Sequence, residues 1–173
     1  MSQEQQFLKV AVLTVSDTRT KETDSSGGFL VKALREEGHT VVAHEIVIDD
    51  IYLLRAKVSV WIADPDIEVI ITTGGTGFGG RDSTPEALAP LFDKHIEGFG
   101  EMFRHLSIAD IGTSTIQSRA LAGLANNTVI FCVPGSTGAC RTAWQGILRE
   151  QLDSRHMPCN FVGVLTKRRE KNL

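Results

Sequence analysis

Five glycines fall within residues 74–80, and Arg81 and Asp82 follow them directly. The apolar run EVIITT, 68–73, leads into the glycines, and Ser83-Thr84-Pro85-Glu86 behind them carries a helix-start signal. Gly75, Gly77 and Gly80 formally spell G-x-G-x-x-G. A dinucleotide fingerprint puts its last glycine in the opening of a helix, with an acidic strand end about 20 residues on. Here the helix signal starts only at Ser83 or Thr84, and the later stretch GFGEMF has a helical pattern. A Walker loop is excluded as well, because no Gly-Lys-Ser/Thr closes the run. What remains is a strand-to-helix loop. Its backbone N–H groups can converge on an anion because no Cβ blocks the approach, the alternative being a plain flexible turn.

Asp49 and Asp82 are the carboxylates suited to work beside such a site. Carboxylates next to a phosphate commonly hold Mg²⁺, which prefers oxygen ligands and keeps several waters. Two structural readings stand beside this one. Asp82 also suits the N-terminal end of a helix, and Asp50 suits an N-cap before Ile51. Pro134-Gly135-Ser136 is either an anion or ribose contact or a helix cap at Ser136 or Thr137. Arg119, beside Ser118 in a small apolar stretch, is either a phosphate clamp or one half of a surface salt bridge. The 5 histidines are scattered without metal-ligand spacing, and no G-x-S-x-G is present. Cys132, Cys140 and Cys159 are odd in number and lack a C-x-x-C spacing, which argues against a disulfide framework and a zinc site. Cys132, inside VIFCV, reads as a buried thiol.

These residues need elements to position them. KVAVLTV at 9–15 is an almost unbroken apolar, β-branched run, suited to a strand covered on both faces. A helix is expected over 28–37, with Gly38 at its C-terminal cap. TVVAHEIVI at 40–48 predicts a second strand. The spacing of Ile51, Leu54, Val58, Trp61 and Ile62 predicts a helix over 51–63, ended by Pro65. A third strand over 68–73 runs into the glycines. The next helix starts by a Ser83–Glu86 capping box or a Thr84–Pro85 pair and extends to about 95. A further helix covers 98–108, the stretch 114–124 is ambiguous, and Asn126-Asn127 turns into a strand at 128–133. A last long helix covers 139–152.

Strand and helix alternate, which predicts a single α/β domain with a mostly parallel central sheet. Four polar clusters each follow an apolar strand: Ser16-Asp17-Thr18-Arg19, Asp49-Asp50, the 74–82 loop and Gly135-Ser136-Thr137. The carboxyl ends of parallel strands share one edge, and ligands of open α/β sheets bind there. The pattern therefore gathers glycines, hydroxyls and carboxylates at one rim.

At 173 residues, with 42% hydrophobic and 23% charged residues, the chain suits one compact domain with an ordinary core. A net charge of -3 argues against a nucleic-acid partner. The polar start MSQEQQ has no signal-peptide pattern, and no apolar run approaches the roughly 18 residues of a membrane span. A cytoplasmic protein without a membrane partner is expected. Residues 1–8 read as an N-terminal tail, 9–165 as the domain and 166–173, with KRREK, as a basic solvated tail.

The strings TTGGTGFGGRDSTPEAL (72–88), EGFGEMFRHLS (97–107), STIQSRALAG (114–123) and VPGSTGACRTAW (133–144) together resemble the MogA/MoaB family of molybdenum cofactor biosynthesis, the molybdopterin-binding domain. Within it they are most similar to the MoaB branch. The likeness runs from residue 9 to 161. It implies a three-layer α/β/α fold, a homo-oligomer (trimer or hexamer) and molybdopterin adenylyltransferase activity. In that reaction the terminal phosphate of molybdopterin attacks the α-phosphate of Mg-ATP, and the activated product then receives molybdate. By motif, Gly74, Gly75, Thr76 and Gly77 would contact nucleotide. Asp49 and Asp82 would be the essential carboxylates, catalytic and holding Mg²⁺ through ATP. Arg81, Ser118, Pro134, Gly135, Ser136, Ser16 and Asp17 complete the implied binding set. The alternative is a non-catalytic molybdopterin-binding or scaffold protein of the same pathway, contacting other cofactor-synthesis enzymes. Trp61, Phe99, Phe103 and Trp144 are the candidate interface anchors.

Overall fold

The computed structural model describes residues 4–165; the expected basic tail, 166–173, lies outside the described residues. The chain alternates as anticipated: β1 (Lys9–Val15), α1 (Ser25–Glu36), β2 (Thr40–Val47), α2 (Ile51–Ala63), β3 (Val69–Thr73) and α3 (Thr84–Leu88). A short β4 (Lys94–His95), then α4 (Glu97–Ile111), β5 (Leu121–Ala125), β6 (Thr128–Val133), α5 (Thr137–Ala143) and α6 (Arg149–Gln151) follow, and residues 161–165 are helical as well. The strands form one six-stranded sheet in the order β2-β1-β3-β6-β5-β4. β2, β1, β3 and β6 are parallel, whereas β5 and β4 add an antiparallel edge.

Strand residues alternate between two apolar layers, as the period of 2 requires. Val10, Val12, Ile71 and Phe131 pack with Leu30 and Leu34 of α1, Phe103 of α4 and Leu148. Ala11, Leu13, Ile70 and Ile130 face the other way, onto Leu54, Val58 and Trp61 of α2 and Leu88 of α3. Both faces are covered, so the central strands are apolar throughout. Full burial of a side chain such as Phe131 or Ile71 contributes about 1.5–3 kcal/mol. No helix among the described residues is long and apolar enough to cross a membrane.

Several expectations need correction. The helix expected to reach 95 stops at Leu88. A 3-10 turn, Ala89–Leu91, follows, because Pro90 has no N–H to continue the helical ladder. Lys94 and His95 then pair with Leu124 and Gly123 as an edge strand. The long last helix is three pieces, with a wide turn at Trp144–Leu148 between α5 and α6; within it, Leu106 of α4 packs against Gly146. α1 begins earlier than expected, capped by Asp24, which accepts from Gly27 N at 2.9 Å. The ambiguous stretch resolves into a 3-10 segment, Gly112–Gln117, and β5. Trp61, Phe99, Phe103 and Trp144 are core residues, each at most 5% exposed, so none is an interface anchor.

Candidate functional site

The loop between β3 and α3 starts in the left-handed region. Gly74 has φ +114° and Gly75 φ +67°, conformations that side chains rarely adopt. A Cβ on Gly74 would run into the carbonyl of Val15, at the end of β1. A Cβ on Gly75 would meet Thr84 Oγ1 and lie 2.6 Å from Asp49 Oδ2. The loop main chain therefore presses directly on two neighbouring elements. Thr84 Oγ1 donates to Gly74 O at 2.8 Å and joins the two ends of the loop. Further on, Gly79 N donates to Asp82 Oδ2 at 2.7 Å, and Asp82 N donates to Gly79 O at 3.0 Å.

Neither helix start that the sequence offered forms as read: Ser83 is the N-cap of α3 but makes no side-chain capping bond, and Thr84 is already the first helical residue. Ser83 directs its hydroxyl to Asp49 Oδ1 instead, and Glu86 pairs with Arg119. Asp49 also accepts from Ser83 N at 3.1 Å, and its own N–H donates to Asp17 Oδ1 at 3.1 Å. Asp17 Oδ2 pairs with Arg81 Nε at 3.2 Å. Asp17, Asp49, Arg81 and Ser83 thus form a polar cluster joining the β1, β2 and β3 loops. Asp50 is the N-cap of α2, accepting from Tyr52 N and Leu53 N at 2.9 Å, so that structural reading holds.

A second wall comes from β6 and α1. Ser136 caps α5, accepting from Ala139 N at 3.1 Å. Gly135 O accepts from Ser26 Oγ at 2.8 Å, which draws the start of α1 against the β6 turn. Asp24, one residue before α1, is almost wholly buried. Burial alone would raise its carboxyl. Hydrogen bonds with Thr14 Oγ1 at 2.6 Å, Gly27 N at 2.9 Å and His44 Nε2 at 2.9 Å hold it below the usual carboxylate range. Cys140 lies beneath this wall with Thr73 Oγ1 3.2 Å away, and burial pushes its thiol up to about 11. Cys132 is pushed up to about 12 by burial, as its apolar strand suggested. Neither is a ready nucleophile.

These walls enclose a cavity of about 770 Å³ at the carboxyl edge of the parallel strands. Ser16, Gly74, Gly75, Thr76, Gly77, Asp82, Ser118, Pro134, Gly135 and Ser136, all singled out in the sequence, line it together. Asp17, Asp49 and Arg81 do not; they sit beside it, in the polar cluster. Ser16 Oγ closes its own turn, accepting from Thr18 N at 3.2 Å and Arg19 N at 3.1 Å. Ser118 Oγ is buried and has no hydrogen-bond partner among the described residues.

The cavity also has a far end that the motifs did not announce, lined by Asp110 of α4, Arg141 and Thr142 of α5, and Gln145. Thr142 Oγ1 donates to Asp110 Oδ2 at 3.0 Å. The signal was present as helical spacing: Phe103, Ser107, Asp110 and Ile111 recur on one face of α4, and Gly138, Arg141, Thr142 and Gln145 recur after Ser136. Asp24 was recognisable as a cap type before Ser-Ser-Gly-Gly.

Residues 11–154 match the family described as probable molybdopterin binding domain. The chain belongs to this family. Its relatives include molybdenum cofactor biosynthesis protein B of Escherichia coli (strain K12), 56% identical over 159 residues, covering 92% of this chain and 94% of that protein. The protein of the same name from Bacillus subtilis (strain 168) is 44% identical over 147 residues, 84% of this chain and 86% of that one. Among solved structures, a molybdenum cofactor biosynthesis protein B superposes with TM-score 0.84 at 38% identity, covering 96% of this chain and 98% of the other. A tungsten cofactor synthesizing protein MoaB from Pyrococcus furiosus gives 0.72 at 35% identity, covering 80% and 89%. The family resemblance read from the glycine loop and the Pro-Gly-Ser turn is thereby confirmed, as is the α/β fold with its mostly parallel sheet.

Proposed function

We propose that this protein binds molybdopterin and adenylylates it with Mg-ATP before molybdate insertion. The observation that carries the reading is the one cavity lined together by the 74–77 loop, Asp82 and the Pro134-Gly135-Ser136 turn. Relatives named for molybdenum cofactor biosynthesis support the substrate class.

Transfer of a phosphoryl-type group needs positioning and charge neutralisation more than covalent catalysis. An oxygen of the terminal phosphate of molybdopterin bonds to the α-phosphorus of ATP. The bond from that phosphorus to the α,β-bridging oxygen breaks, and pyrophosphate leaves with the electron pair. In this reading the amides of the glycine loop hold nucleotide phosphate oxygens, and Thr76 and Ser136 face the nucleotide. The far end of the cavity, with Arg141 and Gln145, leaves room for the second substrate.

Mg²⁺ enters as part of the nucleotide. No group of three or more His, Cys, Asp or Glu among the described residues is arranged to cage a metal, so phosphate oxygens and water would supply most of its ligands. Asp82 fits such a metal: it lines the cavity, and only its Oδ2 is engaged, by Gly79 N. Asp49 offers Oδ2, since Ser83 engages Oδ1. That engagement favours a second reading, a molybdopterin-binding or scaffold protein in which Asp49 is structural. A homo-oligomer belongs to the proposal too. Met102, Ile108 and Ile111 of α4 and Ile116 after it are exposed apolar side chains suited to burial against a second copy.

Purified protein incubated with molybdopterin and Mg-ATP tests this. Adenylylated molybdopterin and pyrophosphate, separated by chromatography, are the expected products. Tight molybdopterin binding without product would leave the binding-only reading, and neither binding nor product would remove both. Sedimentation tests the oligomer.

A further inference from the structure

Arg119 lies outside the cavity lining, yet each nitrogen of its guanidinium is committed to the glycine loop or the helix that follows it. Nε donates to Gly77 O at 2.9 Å, Nη2 donates to Asp82 O at 2.9 Å, and Nη1 pairs with Glu86 Oε1 in α3. Its main-chain N–H donates to Thr76 O at 3.0 Å. The guanidinium also lies over the Phe78 ring, 5.0 Å from the centroid. The phosphate-clamp reading of this arginine therefore fails, and the ion pair of the other reading is only one of its contacts.

The loop needs such an outside grip. Glycine loses more conformational freedom on ordering than any other residue. Across the tip, the internal bonds are the Gly79–Asp82 pair alone. Arg119 holds carbonyls on both sides of that tip. Its own segment is held in turn by Arg104 of α4, whose Nη1 donates to Ser118 O at 3.3 Å and Ala120 O at 3.1 Å. The neighbouring Ser118 brings its buried, unpartnered hydroxyl to the same cavity.

We propose that Arg119 is a positioning residue that sets the glycine loop in its ligand-binding form and fixes Asp82 in the cavity wall without touching ligand itself. The effect on ligand rests on the nucleotide reading of the loop; the effect on loop order does not.

Two measurements on R119A, R119K and E86Q test this. The first is amide hydrogen exchange without ligand. R119A should speed exchange of the 76–82 amides about tenfold or more while β1, β3 and β6 stay protected. The second is the Kd for Mg-ATP, expected to weaken about tenfold or more in R119A and to recover when methylguanidine is added. R119K should recover little, because a point charge cannot span the Gly77 and Asp82 carbonyls. E86Q keeps both carbonyl bonds and should stay within about fivefold of wild type. Unchanged loop exchange in R119A overturns the proposal. So does an equal rise in exchange across the central strands, which would mean general destabilisation, or full recovery in R119K. If wild type does not bind Mg-ATP, the functional reading fails on its own, and loop exchange in R119A still decides this inference.

Discussion

One oxygen of Asp49 accepts both donors of Ser83, the main-chain N–H at 3.1 Å and the hydroxyl, across 34 residues of sequence. This contact ties the end of β2 to the start of α3 and closes the glycine loop from outside. Asp82, by contrast, faces the cavity and bonds within its own loop. The two carboxylates paired by motif therefore do different structural work.

That difference predicts separable mutants. Asp49→Ala should lower unfolding free energy by about 1 kcal/mol, because Ser83 loses its acceptor. Asp82→Asn keeps an acceptor for Gly79 N and should change stability by less than about 0.5 kcal/mol, yet, under the proposed function, abolish adenylylation. Urea denaturation read beside the product assay checks both. An Asp49→Ala protein as stable as wild type would contradict the structural role.

The glycines of the loop should not be equivalent. Gly75→Ala combines an unfavourable φ with contacts to Thr84 and Asp49, and should cost about 1–3 kcal/mol and weaken nucleotide binding. Gly80→Ala meets nothing within 4 Å and should be close to neutral. Thermal melts of the two variants give the comparison; equal melting temperatures would refute it.

Acid should weaken the fold in two stages. His39 is buried, its Nδ1 accepts from Leu8 N, and desolvation lowers its pKa despite Glu37 and Asp153 nearby. The unfolded chain takes up this proton near pH 6.5, before the folded chain does, so stability falls as pH drops below about 6.5. Asp24 is also depressed in the folded state, burial being outweighed by Thr14, Gly27 and His44. Its contribution is complete above about pH 4 and is lost as pH falls further. Denaturation between pH 8 and 3 should show both declines. His39→Gln should remove the first and Asp24→Asn the second; a variant that keeps its decline refutes that assignment.

The alternation of apolar runs and polar breaks made the layered sheet legible, because a strand covered on both faces must be apolar along its length. Apolar runs at 9–15 and 128–133 became strands with those bounds, and the periodic 51–63 became α2. The rim followed from the same pattern, since parallel strands bring their carboxyl ends to one edge. Where the chain went after α3 was less legible: Pro90 interrupts the helical ladder locally, but only the pairing of Lys94 and His95 with β5 makes the next residues an edge strand.

The amino-acid sequence by itself determined which loops follow apolar strands and so meet at the rim, because the succession of elements along the chain and the period of their side chains are local properties. Only the tertiary structure decided what each does there. Ser83 could cap its own helix or bond Asp49, and Arg119 could meet a ligand or hold the loop. Such choices are made by donors and acceptors far apart in sequence, and they are settled only when packing brings those groups within hydrogen-bond reach.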